Sequence, residues 1–308
     1  MRLIQFPPSP ETALPDPTPC GSVADAERDV RAALASSPVT ASLAQAPLQV
    51  QVGGLSNHAW TTAVGGEAYF VRLSPPDSQR LGVDRESECS LLHVVASVGL
   101  APSVIRCDPG RRLLVTRRVA REPWRRAQAI EPRNIALLAG SLRRLHALPV
   151  AHGICSVDFA AQARHLESQG SAGCSAPGPL SSIAAGLFER VQASAVAPTL
   201  CHNDLHHLNL VEDGQRLWLV DWEYGGVGDP IYDLASFLCQ HDAGSQERDC
   251  LLEAYGASPA VDAGRLAAAC WVFDYVQWLW YLAWPSADGD EYARRALALE
   301  QRLRRASH

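Results

Sequence analysis

His202, Asp204 and Asn209 stand in an H-x-D-x-x-x-x-N arrangement between two short apolar runs, Thr199-Leu200-Cys201 and Leu208 to Val211. Beyond them comes a polar turn, Glu212-Asp213-Gly214-Gln215, and then Leu217-Trp218-Leu219-Val220 ends abruptly in Asp221. This pattern predicts a strand–turn–strand pair with carboxylates and a carboxamide at its ends, which gathers hard oxygen ligands at one point. Such ligands suit Mg²⁺, which keeps several waters and bridges protein carboxylates to phosphates. Capping of turns is the plainer use of Asp204 and Asp221. His202 ahead of the pair, the apolar run leading into Asp221, and Asp229-Pro230 and Asp233 behind it favour the chemical reading.

The spacing is also that of a phosphoryl-transfer site: an Asp near an acceptor hydroxyl, an Asn further on at a metal, and a second Asp at the metal. At this level residues 199–234 resemble the catalytic and metal loops of the aminoglycoside phosphotransferase/choline kinase group, relatives of the protein kinases. Within that group, L-V-D-W-E-Y-G-G-V-G-D-P-I-Y-D-L-A most resembles the bacterial choline/ethanolamine kinases, whose D-W-E-Y stands where a protein kinase has D-F-G. Thiamine kinases carry a similar D-W-E-Y and remain an alternative, as does an aminoglycoside or sugar phosphotransferase. The resemblance implies an ATP- and Mg²⁺-dependent kinase for a cationic amino alcohol, choline first. Asp204 would meet the hydroxyl as base, Asn209 and Asp221 would hold the metal with Glu223 as a further contact, and His202 and Asp233 would support the loop. The non-enzymatic alternative is a pseudokinase-type nucleotide-binding module.

Positioning these residues requires a scaffold upstream. Leu48 to Val52 alternates like a half-buried strand, and Gly53-Gly54-Leu55-Ser56-Asn57 follows. Two more strands, Ala59 to Val64 and Glu67 to Leu73, are joined by Gly65-Gly66, so the stretch reads as a meander. The glycines let the backbone approach a ligand, where Ser56 and Asn57 would meet phosphate oxygens. The resemblance strengthens this, because G-G-x-[ST]-N is the family's nucleotide-phosphate loop. It also puts Arg72 where protein kinases use a phosphate-binding Lys, and a guanidinium suits phosphate and carboxylate alike. Residues 84–98 predict a helix with apolar Cys89, Leu92, Val95 and Val98 at helical spacing. The family's R-x-x-E maps onto Arg85 and Glu88, making Glu88 the expected partner of Arg72 and Glu86 the second choice. Strands are expected at 104–107 and 113–116, with residues 116–121 as the hinge; Thr116 and Val119 are the expected ATP contacts there. Ile135, Leu138, Leu142 and Leu145 mark an amphipathic helix ending at His146, read as structural.

Residues 267–284 hold four of the eight tryptophans and two of the seven tyrosines. Aromatic stripes at helical spacing usually pack, yet Trp and Tyr faces also bind quaternary ammonium by cation–π attraction. Choline kinases carry W-x-L-W in a late helix as part of a choline cage. Alignment on L-W puts Trp280 on the second Trp and Gln277 on the first. Trp278 lies roughly 100° around the helix from Gln277 and cannot stand in for it. Gln277, Trp280 and Trp284 are expected to face substrate, and Trp271, Tyr275 and Trp278 to pack. Tyr224 matches a cage tyrosine, and Gln240 stands where the family has Glu.

The chain of 308 residues carries a net charge of −6 and no basic footprint for nucleic acid. Nine scattered cysteines, with no C-x-x-C pair, point to neither zinc nor a disulfide framework and suggest reduced thiols in a cytoplasm. The N-terminus lacks the apolar core of a signal peptide, and Asp274 and Gln277 interrupt the most apolar stretch, which argues against a membrane span. The expected fold is a two-lobe, protein-kinase-like α+β architecture. Residues 1–21, with six prolines, form a flexible arm. A nucleotide-binding lobe of antiparallel sheet and one main helix spans 22–118, and a mostly helical catalytic and acceptor-binding lobe spans 119–308. Neither oligomeric state nor the acceptor's identity is written in these residues.

Overall fold

The computed structural model describes residues 23–51, 57–76, 82–169, 178–256, 263–283 and 289–306. Ser56 and Trp284, both expected to contact ligands, lie outside the described residues, as do the proline-rich arm and most of the loop expected at 170–179.

Two short helices open the described chain, α1 (Val23–Ala35) and α2 (Ala41–Gln45). They cover one face of a five-stranded antiparallel sheet of order β1-β2-β3-β5-β4: β1 (Gln49–Gln51), β2 (His58–Val64), β3 (Glu67–Leu73), β4 (Val104–Asp108) and β5 (Leu113–Arg117). Val30, Leu34, Trp60, Val71 and Val115 form the core between helices and sheet, each at most 1 % exposed. Gly65 and Gly66 both adopt positive φ, 62° and 81°, the conformation that a two-residue hairpin between twisted strands requires.

Helix α3 (Arg85–Ser97) lies between β3 and β4. Asp84 caps it, its carboxylate accepting the Glu86 and Ser87 N–H groups. Its apolar face, Leu91, Leu92 and Val95, joins the core of the larger lobe rather than that of the sheet. One cysteine expectation is corrected here: Cys89 of α3 and Cys107 of β4 form a disulfide, their Cα atoms 5.8 Å apart. Their separation of 18 residues hid the pairing, because the contact is made by the helix folding back against the strand. Cys155, Cys201, Cys239, Cys250 and Cys270 are free.

The second lobe begins with α4 (Arg126–Ala129) and α5 (Pro132–His146), then α6 (Phe159–Gln169) and α7 (Gly178–Ala193). Four short strands follow, β6 (Thr199–Cys201), β7 (Leu210–Glu212), β8 (Leu217–Leu219) and β9 (Gly226–Gly228). They pair antiparallel as β6 with β9 and β7 with β8. Helices α8 (Ile231–Gln240), α9 (Ser245–Tyr255), α10 (Ala263–Ala283) and α11 (Gly289–Ala306) complete it. Asp229 accepts the Ile231 N–H at the start of α8 and pairs with the buried Arg265 of α10. No helix among the described residues is long and apolar enough to cross a membrane.

Ile135, Leu138, Leu142 and Leu145 of α5 are completely buried, the stripe that their spacing predicts. Leu138→Ala should therefore destabilise the protein by about 2–5 kcal/mol, the usual cost of emptying a well-packed leucine site. Leu297, 55 % exposed on α11, should tolerate alanine within about 0.5 kcal/mol. Urea denaturation of both variants checks the contrast; equal midpoints would show that the α5 stripe does not carry the core.

Candidate active site

The loop after β6 is held from beneath by one carboxylate. Asp233, fully buried in α8, accepts the backbone N–H groups of His202 at 3.1 Å and Asn203 at 2.6 Å, and meets Nε2 of His146 at 2.9 Å. Burial alone would raise this carboxyl; the His146 bond and the Asn203 N–H outweigh it and hold the group below its ordinary value. These bonds let Asn203 sit at φ 66°, a left-handed conformation that Asn tolerates but that still costs about 1–3 kcal/mol. His202 then spans the gap to the next loop: its Nε2 meets the Val220 carbonyl at 2.9 Å, and its Nδ1 accepts the Asp204 N–H at 3.3 Å. That pattern fixes a neutral imidazole protonated on Nε2, in keeping with burial lowering its pKa.

Asp204 emerges from this support into the cleft. The Asn209 carboxamide donates to the Asp204 carbonyl at 2.8 Å and to its carboxylate at 3.3 Å. Gln240 approaches the other carboxylate oxygen at 3.4 Å, and His206 Nε2 lies 3.5 Å away. Burial would raise the Asp204 carboxyl, but the His206 imidazole beside it prevails and keeps it below the ordinary range.

Asp221 follows β8 with φ 61°, a second residue in the left-handed region. Its Oδ1 accepts Nη1 of Arg72 at 3.1 Å, and 39 % of its side chain stays open to the cleft. Enclosure and the neighbouring Glu223 push its carboxyl up to about 7, against the pull of Arg72. Arg72, only 4 % exposed on β3, reaches Glu88 Oε2 at 2.7 Å with its other nitrogen, so Glu88 rather than Glu86 is its partner. The buried Glu223 turns the other way, its Oε2 accepting Asn57 Nδ2 at 2.9 Å and Arg85 Nη2 at 3.0 Å. Asn57 is thus committed to Glu223 and, through its oxygen, to Arg85. Thr116 is buried at the end of β5, and Val119 is half-buried beyond it; both line the cleft.

Aromatic side chains also line the cleft. Trp280 Nε1 donates to the Tyr224 hydroxyl at 3.1 Å. Enclosure and Glu223 push that phenol well up, so it stays protonated. Gln277 faces the cleft one turn before Trp280, whereas Trp271, Tyr275 and Trp278 are buried. Sequence reasoning missed two rings here: Tyr281, edge-on to Trp280 at 5.3 Å, also lines the cleft, and the buried Tyr292 of α11 packs 5.8 Å from Trp280 and supports it. Tyr281 was visible as the neighbour of Trp280. Tyr292 carries no local signal, because α11 brings it in from beyond the aromatic run.

The donor set fits a hard divalent cation. The Asn209 nitrogen is engaged by Asp204, which leaves its oxygen as the ligand atom, and the raised Asp221 carboxyl marks an excess of negative charge that a cation would relieve. A different cluster, His146, Cys201 and Asp233, does not fit one. Both His146 nitrogens are engaged, by Tyr255 and Asp233, and burial pushes the Cys201 thiol far up.

Residues 48–281 match the family described as the phosphotransferase enzyme family, APH. The chain belongs to that family. Among its curated relatives, Protein LicA of Haemophilus influenzae is 40 % identical over 68 residues, 22 % of this chain and 25 % of the relative. A LicA homolog of Mycoplasma capricolum is 29 % identical over 103 residues, 33 % of this chain and 42 % of the relative. The matched stretches thus span less than half of either relative. Two solved phosphotransferases share the fold along nearly the whole chain. The choline kinase LicA from Streptococcus pneumoniae gives a TM-score of 0.78 at 20 % identity, covering 92 % of this chain and 98 % of that one. A choline/ethanolamine kinase family protein from Mesorhizobium loti gives 0.73 at 22 %, covering 91 % and 94 %. The two-lobe kinase-like fold of this phosphotransferase is the one its motifs implied.

Beside the Asp204 loop of this phosphotransferase, His207 and His241 lie 5.8 Å apart, and burial lowers both to about 4. The folded values lie below the ordinary 6.5, so the unfolded chain takes up these protons first and the histidines' contribution is lost as pH falls from 6.5 toward 4. His241→Gln removes one such group. Wild type should therefore lose thermal stability relative to His241→Gln between pH 7 and pH 4.5; parallel melting curves across that range would contradict the assignment.

Proposed function

We propose that this phosphotransferase moves the terminal phosphoryl group of ATP to the hydroxyl of a small cationic amino alcohol, with choline the first candidate. The observation that carries the reading is the meeting in one cleft of two groups from different lobes. Arg72 of the sheet lobe bonds to Asp221, and Asp204 with Asn209 lines the same cleft as the Tyr224–Trp280 pair. On this reading residues 22–118 hold the nucleotide and residues 119–308 hold the acceptor, in a cytoplasm that supplies ATP.

Asp204, kept ionised, accepts the hydroxyl proton as the acceptor oxygen bonds to phosphorus and the bond to the ADP oxygen breaks. Its hydrogen bonds with Asn209 and Gln240 fix the carboxylate's direction. The side chains of Asn209 and Asp221 would hold Mg²⁺. When bound, that ion would supply charge neutralisation for the transferred phosphoryl group. Arg72 would steady the phosphates from its Asp221 side while its other terminal nitrogen stays on Glu88. A trimethylammonium head, which donates no ordinary hydrogen bond, would be held by the Trp280 and Tyr224 faces, worth on the order of 1–2 kcal/mol for a well-placed ring. Gln277 and Gln240 add polarity without charge.

Asp204→Ala and Asp221→Ala should each abolish turnover, Asp204→Ala with a melting temperature close to wild type and Asp221→Ala with a lower one, because it takes one partner from the buried Arg72. Trp280→Ala should raise the KM for choline far more than that for ATP. Steady-state kinetics with both substrates varied decides it. Near-normal turnover in either Asp variant would sink the mechanism, and equal KM changes in the Trp variant would remove that ring from the acceptor site.

A further inference from the structure

Five buried or half-buried charges form a closed circuit around the metal-side loop. From Asp221 the path runs to Arg72 at 3.1 Å, to Glu88 at 2.7 Å, to Arg85 at 2.8 Å and to Glu223 at 3.0 Å. It begins and ends on carboxylates two residues apart in one loop. Arg72 anchors the first of them and Arg85 the second. Both guanidiniums converge on a single oxygen, Oε2 of Glu88, which therefore sets the distance between them.

We infer that Arg85 is a positioning residue for the metal site, fixing the loop 221–223 from its Glu223 end so that Asp221 faces Asn209. This rests on the reading of Asp221 and Asn209 as metal holders. Arg85 is absent from the cleft lining, although Arg72, Asp84 and Ser87 all belong to it. Its side chain is 11 % exposed, and besides the two carboxylates it donates to the Asn57 oxygen at 3.1 Å. Its contacts are with Glu223, Glu88 and Asn57, and it acts on the cleft through them.

The position of Arg85 is itself over-determined. It is the first residue of α3, whose start is fixed by the Asp84 cap. Ser87, in the same turn, accepts the Cys155 N–H of the larger lobe at 2.8 Å. The Cys89–Cys107 disulfide ties the following turn to β4. Arg85 is thus a rigid post, and the loop it holds contains Asp221 in a left-handed conformation that an unsupported loop would relax. A lysine at this position could not serve two carboxylates and a carboxamide, because an ammonium is a point charge without the planar fork.

The test uses the full chain as Arg85→Lys, Arg85→Met and Glu223→Gln, with the Arg85→Met/Glu223→Gln double variant. Binding of ADP is measured by calorimetry across a Mg²⁺ titration, and choline KM is measured separately. Arg85→Met should weaken the Mg²⁺ requirement site by about 10–100-fold, the usual cost of removing a residue that orients a metal ligand. Arg85→Lys should recover part of that loss, and choline KM should move less than about twofold. In the Glu223→Gln background, Arg85→Met should cost much less than it does alone, because the two act through one contact. Should Arg85→Met fail to fold, Arg85→Lys and Glu223→Gln carry the comparison. Wild type whose ADP binding ignores Mg²⁺ would overturn the reading beneath this inference and the inference with it. Mg²⁺-dependent wild type alongside unaltered Arg85 variants, or fully additive effects in the double variant, would overturn the inference alone.

Discussion

A guanidinium buried to 4 % exposure needs its charge balanced by carboxylates, and in this protein that constraint falls on Arg72, whose two terminal nitrogens each meet one. Leaving such a charge without partners costs several kcal/mol. Its two partners, Glu88 and Asp221, belong to different parts of the chain, one on a helix and one on a loop of the larger lobe. Satisfying one side chain therefore fixes sheet, helix and loop relative to each other. The ion pairs need not add net stability to do this; their value is in specifying one arrangement.

The Asp204 loop depends on an equivalent device with a different chemistry. Asp233 gathers two backbone N–H groups and a histidine in the core, and the loop above it can then hold Asn203 in a conformation it would not otherwise keep. Asp204 and Asp221 end up facing one cleft because each is delivered by a loop whose strain is balanced by buried polar contacts. Preorganisation of this kind places charge before substrate arrives, which is how positioning and electrostatics contribute most to phosphoryl transfer.

Much of this was legible in the residues. The meander, the α3 and α5 helices and the β7–β8 hairpin follow from alternation, glycine pairs and helical spacing, because each is a local pattern with a local cause. Arg72 and Glu88 were readable as partners through the resemblance, and Trp280 as a cleft residue through its alignment. What stayed hidden depends on distant contacts. Arg85 meets Glu223 from 138 residues away, Tyr292 packs on Trp280 only once α11 has docked, and Cys89 meets Cys107 only because α3 folds back on β4. No periodicity encodes such meetings. Asn57 and Glu223, expected at phosphate and metal, line the cleft and also meet Arg85, a contact that no local pattern carries.

The central claim is that charges from the two lobes converge to transfer a phosphoryl group to an alcohol. Phosphorus NMR of the chain with Mg·ATP and, in turn, choline, ethanolamine, thiamine and an aminoglycoside tests it most directly. The account predicts ADP and one phosphomonoester appearing in equal amounts, fastest with choline and absent without acceptor. ATP that stays intact with every acceptor, or that yields only inorganic phosphate, would contradict it.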